Sequence, residues 1–221
     1  HLLRSAVEAK NSTLLKQAFL ICISFSMYLK NKSKYRELNS LASDIKVIIK
    51  ETSEELNISK LNLLHGYAVR MLGLHDEAIK IMLTANSDVG SLNKADKCSL
   101  FINLALAYEK KKDNENAEIY ANKVKELSKK GSGNYQQAES ILVTIKEVNV
   151  KSGLAEIETN ARNNKNVTIA NNAALDIAYE VEDLNQKLSC FSRVLNSEGD
   201  IYNKIRAITD KYSLLIDEGE K

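Results

Sequence analysis

Residues 101–124 read FINLALAYEKKKDNENAEIYANKV. Phe101, Leu104, Ala105 and Tyr108 recur at three- and four-residue spacing, which places them on one face of a helix. Asp113-Asn114-Glu115 is a short polar turn, and Ala117, Ala121 and Val124 mark a second helix returning along the first. Four stretches share this hairpin pattern, beginning near residues 19, 59, 98 and 168, and the one quoted is the clearest. A helical hairpin repeating with a period of 20 to 50 residues is the mark of a solenoid. Such folds offer an extended binding surface rather than a chemical step.

The composition agrees. The 221 residues contain no Pro, no Trp and only 8 Gly, so little interrupts helices, and 44% hydrophobic content is that of a folded chain. Lys and Arg number 31 against 29 Asp and Glu, a net charge of +2. That near-balance argues against a dedicated nucleic-acid binder, which would carry a basic excess. Cys22, Cys98 and Cys190 are odd in number, widely separated and set in apolar helical stretches, which points to reduced, buried thiols in a cytoplasmic chain. Asn-x-Ser/Thr sites at Asn11, Asn31, Asn57 and Asn166 are chance products of an Asn-rich sequence. The most apolar run, Ala18–Leu29, falls short of the roughly 20 residues a membrane span needs, so it is expected to be a buried packing helix. The start at His1 leads to the expectation that the chain is part of a longer protein.

Along the chain, a partial first unit ends near Lys10. The units expected after it cover 14–57, 59–90, 94–130, 134–165 and 168–196, and a capping helix covers 198–217. Expected helices are Leu14–Lys30, Lys34–Leu56, Lys60–Leu72, Asp76–Ala85, Lys94–Lys112, Glu115–Lys130, Tyr135–Val150, Leu154–Ala161, Thr168–Glu182 and Leu184–Leu195. Asp76 is the expected N-cap of its helix and Gly73 the terminator before it. Asp183 with Gln186 reads as a capping box. Ile201, Ile205, Ile208, Tyr212 and Leu215 line one face of the last helix, which is expected to close the stack. Gly131-Ser132-Gly133 is the expected break in the chain.

Small residues recur at matched offsets. Gly66 and Ala105 stand in first helices, and Ala78 and Ala117 follow in second helices, twelve positions on in both units. Val69 or Tyr108 fills the space beside the first small residue, and Ala85 or Val124 packs on the next unit. This pattern resembles the tetratricopeptide repeat family, whose 34-residue units carry small residues at the eighth and twentieth positions and an aromatic at the eleventh. Phe101, Leu104, Ala105, Tyr108, Ala117 and Val124 match it, as do Gly66, Ala78 and Ala85. Lys187 stands where a small residue belongs, the period is nearer 40, and the family's closing proline is missing. HEAT-like repeats, with periods of about 40 to 47, are the alternative. The fold implied is an all-α, right-handed superhelical α-solenoid.

Chemistry is sparse. Gly131-Ser132-Gly133 lacks a third glycine and any Gly-Lys-Ser/Thr, so no phosphate loop is present. Ser43-x-x-Lys46 and Ser91-x-x-Lys94 have nucleophile spacing without the accompanying motifs. His65, beside Gly66, reads as a packing residue with one hydrogen bond, and His75 as a turn residue. No cysteine completes a metal set with them. Lys110-Lys111-Lys112 and Lys129-Lys130 end helices, where cations suit the dipole. No catalysis, cofactor or metal is expected, and no direct binding of nucleic acid or membrane.

The resemblance implies a concave face lined by first helices. Carried over position by position, the contacts to a protein or peptide ligand fall on Lys30, Lys60, Tyr67, Arg70, Asn103, Lys110, Asn172, Asp176 and Tyr179. Asn103 stands where the family holds an asparagine that grips a peptide backbone. Degenerate repeats of this kind also resemble sensor regions of bacterial signalling and phage-defence ATPases. A peptide-pheromone receptor domain of a transcriptional regulator is the second reading. An oligomer is compatible with either.

Overall fold

A computed structural model describes residues 1–52, 56–146 and 150–219, and among these every regular element is helical. The chain forms two compact units, His1–Tyr120 and Ala121–Lys221. The first holds α1 (Leu2–Glu8), α2 (Ser12–Asn31), α3 (Tyr35–Lys50), α4 (Ser59–Met71), α5 (His75–Ser87), a 3-10 turn at Val89–Ser91 and α6 (Lys94–Lys110). The boundary falls within α7 (Asn114–Leu127). The second unit continues with α8 (Gly133–Lys146), α9 (Val150–Asn163), α10 (Val167–Glu180), α11 (Leu184–Leu195) and α12 (Ile201–Gly219).

In the first unit successive helices from α1 through α6 pack on one another, and α4 also touches both α2 and α6. The hairpin turns repeat one device. After α4, Gly73 adopts a left-handed φ of 82°. Its N–H bonds Arg70 O at 2.9 Å and the N–H of Leu74 bonds Val69 O at 3.1 Å, which satisfies carbonyls the helix end would leave open. Ser33 (φ 55°) and Lys112 (φ 59°) build the same pair of bonds without glycine. Ser33, Gly73 and Lys112 lie 40 and then 39 residues apart, so the turns carry the repeat period. The device returns at Lys165 (φ 57°), joining α9 to α10.

Small residues occupy the helix crossings. A Cβ on Gly66 would lie 2.3 Å from Met82 Cγ and 3.4 Å from the Ala78 carbonyl oxygen, so Met82 of α5 packs into the space that the missing side chain leaves. Ala78, Ala85, Ala105, Ala117 and Val124 are fully buried. In the second unit Gly153 of α9 plays the same part against Val143 of α8, whose Cγ1 would lie 2.8 Å from a Cβ at that position. The missing small residue at Lys187 is supplied from α10 instead, where Ala174 and Ala178 pack with Leu154, Cys190, Phe191 and Val194.

Several expected features change. The helix expected to reach Leu56 ends at Lys50; residues 53–55 lie outside the described set, and Leu56 to Ile58 are not helical. Asp76 is not an N-cap: α5 starts at His75 and its cap residue, Leu74, offers no side-chain bond. Asp183 does cap α11, accepting from Gln186 N at 2.8 Å, but the Gln186 side chain accepts from Lys151, so the box is half formed. α9 begins at Val150, four residues before the expected Leu154, and residues 147–149, the end of the expected preceding helix, lie outside the described set. α2 is not a short buried helix. It runs for 20 residues, is apolar and long enough to cross a membrane by length and composition, and is only one-third buried. Leu20, Ile21, Phe25 and Tyr28 face outward.

The last helix departs furthest. Ile201 is 74% exposed and Tyr212 64%, with Ile205, Ile208 and Leu215 exposed beside them. α12 attaches through Asn203, Ala207 and Leu214. Asn171, fully buried on α10, holds this junction by donating to Ser197 Oγ at 2.8 Å and Asp200 Oδ2 at 3.0 Å. The apolar stripe expected to close the stack therefore points away from it.

The turn and crossing geometries separate by mutation. Gly73→Ala meets open space and only the φ penalty, a loss of about 1 kcal/mol. Gly66→Ala forces Met82 aside and loses more, about 1–3 kcal/mol. Lys112→Gly gains about 0.5 kcal/mol. Urea unfolding midpoints at unchanged m-value give this order; a neutral Gly66→Ala would show that the crossing is not tight.

Candidate functional site: a cationic and aromatic face on α2, α4 and α6

On α4, Lys60, Tyr67 and Arg70 share one face through their spacing of seven and three. Lys30 comes from the last turn of α2, and Asp96, Ser99 and Asn103 share a face of α6. Because α4 adjoins both α2 and α6, five of the nine sequence-assigned residues, Lys30, Lys60, Tyr67, Arg70 and Asn103, fall in one place within the first unit. Tyr67 is the centre. The Lys30 ammonium lies 4.6 Å from its ring centroid and the Arg70 guanidinium carbon 5.6 Å, both within cation–π range. Tyr35 of α3 meets the same ring edge-on at 5.8 Å.

Asn103 supports Arg70 from the neighbouring helix. It is 4% exposed, its Oδ1 accepts from Arg70 Nε at 2.8 Å, and its Nδ2 donates to the Ser99 carbonyl at 2.7 Å. The amide aims Arg70 from below. Lys60 pairs with Asp96, whose other contact is the Asn93 amide at the start of α6. Burial pulls the Lys30 ammonium below its ordinary range, Lys60 and Arg70 add repulsion, and Asp96 opposes them. Two cations thus flank one tyrosine, and a third stands close by on the carboxylate.

The remaining assigned residues are elsewhere. Lys110, well exposed, pairs with Glu109 at 3.2 Å. Asn172, Asp176 and Tyr179 share a face of α10 in the second unit. The Tyr179 hydroxyl donates to Asp210 and accepts from Arg206 Nε at 3.2 Å. Burial, and after it the bond to Asp210, pushes that hydroxyl's pKa up.

Sequence reasoning missed a buried chain across α3 and α4. The Lys46 ammonium donates to His65 Nδ1 at 2.8 Å, which fixes the proton on Nε2, and Nε2 donates to Asn39 Oδ1 at 2.7 Å. His65 makes two hydrogen bonds, not one, and the first of them shows that Lys46 is not the partner of a nucleophilic Ser43, whose Oγ donates to the Asn39 carbonyl. Burial and then Lys46 lower His65 to about 4, while burial and Lys50, against Glu77, lower Lys46 to about 8. His75 opens α5, with its Nδ1 buried and without a hydrogen-bond partner. Among the described residues no three His, Cys, Asp or Glu side chains gather as metal ligands.

No family model matches the chain, and no curated protein matches it either.

The His65 network makes stability depend on pH. The unfolded chain takes up a proton as pH falls through about 6.5, whereas folded His65 resists until about 4. The unfolded state binds more protons in that window, so stability falls as pH falls, by about 3 kcal/mol in all. Denaturation at pH 7 and pH 4.5 should show a steeper loss in the wild type than in His65→Gln. Equal losses would place His65 outside the buried network.

Proposed function

We propose that the chain is a non-catalytic, tetratricopeptide-like α-solenoid that binds an acidic protein or peptide segment on the α2, α4 and α6 face. One observation carries this reading: Lys30 and Arg70 converge on Tyr67 from two helices, with Asn103 holding Arg70 in place. An aromatic ring flanked by cations supplies contact area and charge recognition together, the mixture found at binding hot spots. A partner carboxylate would offset the burial and neighbouring cations that pull the Lys30 pKa down. The solenoid reading is supported by turns at intervals of 40 and 39 residues and by Gly66 and Ala105 at the crossings. The period fits the HEAT-like range as well, but the small residue, aromatic and small residue at Ala105, Tyr108 and Ala117 favour the tetratricopeptide pattern.

Fluorescence anisotropy with labelled acidic, neutral and basic peptides of equal length tests the face. Acidic peptides should bind, more weakly as salt rises, and Arg70→Glu should lower their affinity about tenfold. Tyr67→Ala should weaken binding without changing the preference for acidic sequences. Equal binding of basic peptides, or indifference to Arg70→Glu, removes this face from consideration.

A further inference from the structure

The second unit contains a cleft that the peptide-binding reading does not use. α9 and α11 both pack on α10 and leave between them a space of about 470 Å³, within the usual size of small-ligand sites. Its walls are single helix faces. On α9, Lys151, Ala155, Glu158 and Arg162 follow one another at three- and four-residue spacing, and on α11 Gln186, Cys190 and Arg193 do the same. Ile177 of α10 and Val181, just past its end, form an apolar floor. From Lys151 to Arg162 the cleft follows α9 for about 16 Å.

The two ends are positive and the middle is apolar. At one end Glu158, 8% exposed at its side chain, takes Arg162 through Nε and Nη2 at 3.0 and 2.8 Å. The same carboxylate takes Arg193 through Nε and Nη2 at 2.9 and 3.0 Å. Two guanidiniums on one carboxylate leave one positive charge over. Burial pushes the Glu158 carboxyl up, but the bonds from Arg193 and Arg162 outweigh it and hold Glu158 ionised, so this surplus persists at neutral pH. Both guanidiniums remain partly exposed to the cleft. At the other end Lys151 donates to the neutral Gln186 amide at 2.8 Å, and among the described residues no carboxylate pairs with it.

We propose that this cleft binds an elongated dianion, an aliphatic body with a carboxylate at each end. One carboxylate lies on the Arg162 and Arg193 pair, the body covers Ile177 and Val181, and the second carboxylate reaches Lys151. Glu158 is a positioning residue: it holds the two guanidinium forks in fixed orientation. Guanidinium planes favour carboxylates through paired N–H bonds, while the lysine acts as a point charge at the far end.

Calorimetric titration of the full chain with suberate, sebacate, succinate and octanoate reads the geometry directly. Suberate or sebacate should saturate one site, at least about fivefold tighter than succinate, which is too short, and octanoate, which lacks the second charge. Lys151→Gln should reduce suberate to the affinity of octanoate and leave octanoate unchanged. Arg162→Gln should weaken both, and Arg162→Lys should restore part of the loss. Circular dichroism confirms that each variant is folded, and Arg70→Glu in the first unit should have no effect on this site. Absence of saturable diacid binding, indifference to chain length, or equal affinity in wild type and Lys151→Gln would overturn the proposal.

Discussion

Helices can stack at the spacing seen here only where side chains stand aside for the backbone. At Gly66 the Met82 side chain fills the volume a Cβ would need. Ala105 and Ala117 are both sealed from water. Gly153 repeats the arrangement against Val143. The remaining cores are built around these approaches: Leu38, Leu64 and Ala68 join α3 to α4, and Ala174 and Ala178 join α10 to its neighbours. The cationic and aromatic face depends on helix packing too, since Lys30 reaches Tyr67 only because α2 lies directly beside α4.

Charge follows a rule of its own. The chain is nearly neutral, yet its cations are held unevenly: Lys60 pairs with Asp96 in the first unit, while Arg162 and Arg193 share Glu158 in the second. Glu158 orients two guanidiniums and cancels the charge of one. The surplus is then available to a ligand, and its direction is set by groups that are themselves held: Arg70 by Asn103, Arg193 by Glu158. Preorganisation of this kind reduces the ordering cost of binding.

Helical character, the helices α6 and α7 on either side of the polar turn, and the buried small residues were legible because they are local and periodic. Most helix limits could be read for the same reason, and where they failed the cause was short range. Lys50 ends α3 with no glycine or proline to announce it, and Leu74 begins α5 without a polar cap. Three left-handed turn residues, Ser33, Lys112 and Lys165, carry no glycine signal either. The candidate face was partly legible, since α4 alone sets Lys60, Tyr67 and Arg70 together. What could not be read was partnership across long separations. Lys46 meets His65, and Glu158 meets Arg193 from 35 residues away, in a stretch whose repeat pattern is weak. The orientation of α12 escaped for a related reason: an apolar stripe says that a face is greasy, not which way it turns.

That outward stripe has a consequence for handling the protein. Ile201, Ile205, Ile208 and Tyr212 form a water-facing ridge, and α2 presents another through Leu20, Ile21 and Phe25. A net charge of only +2 supplies little colloidal repulsion between copies near neutral pH. Adhesion to plastic, resin or other apolar material is therefore governed by these ridges, and it grows as the solution approaches the isoelectric point near pH 8.3.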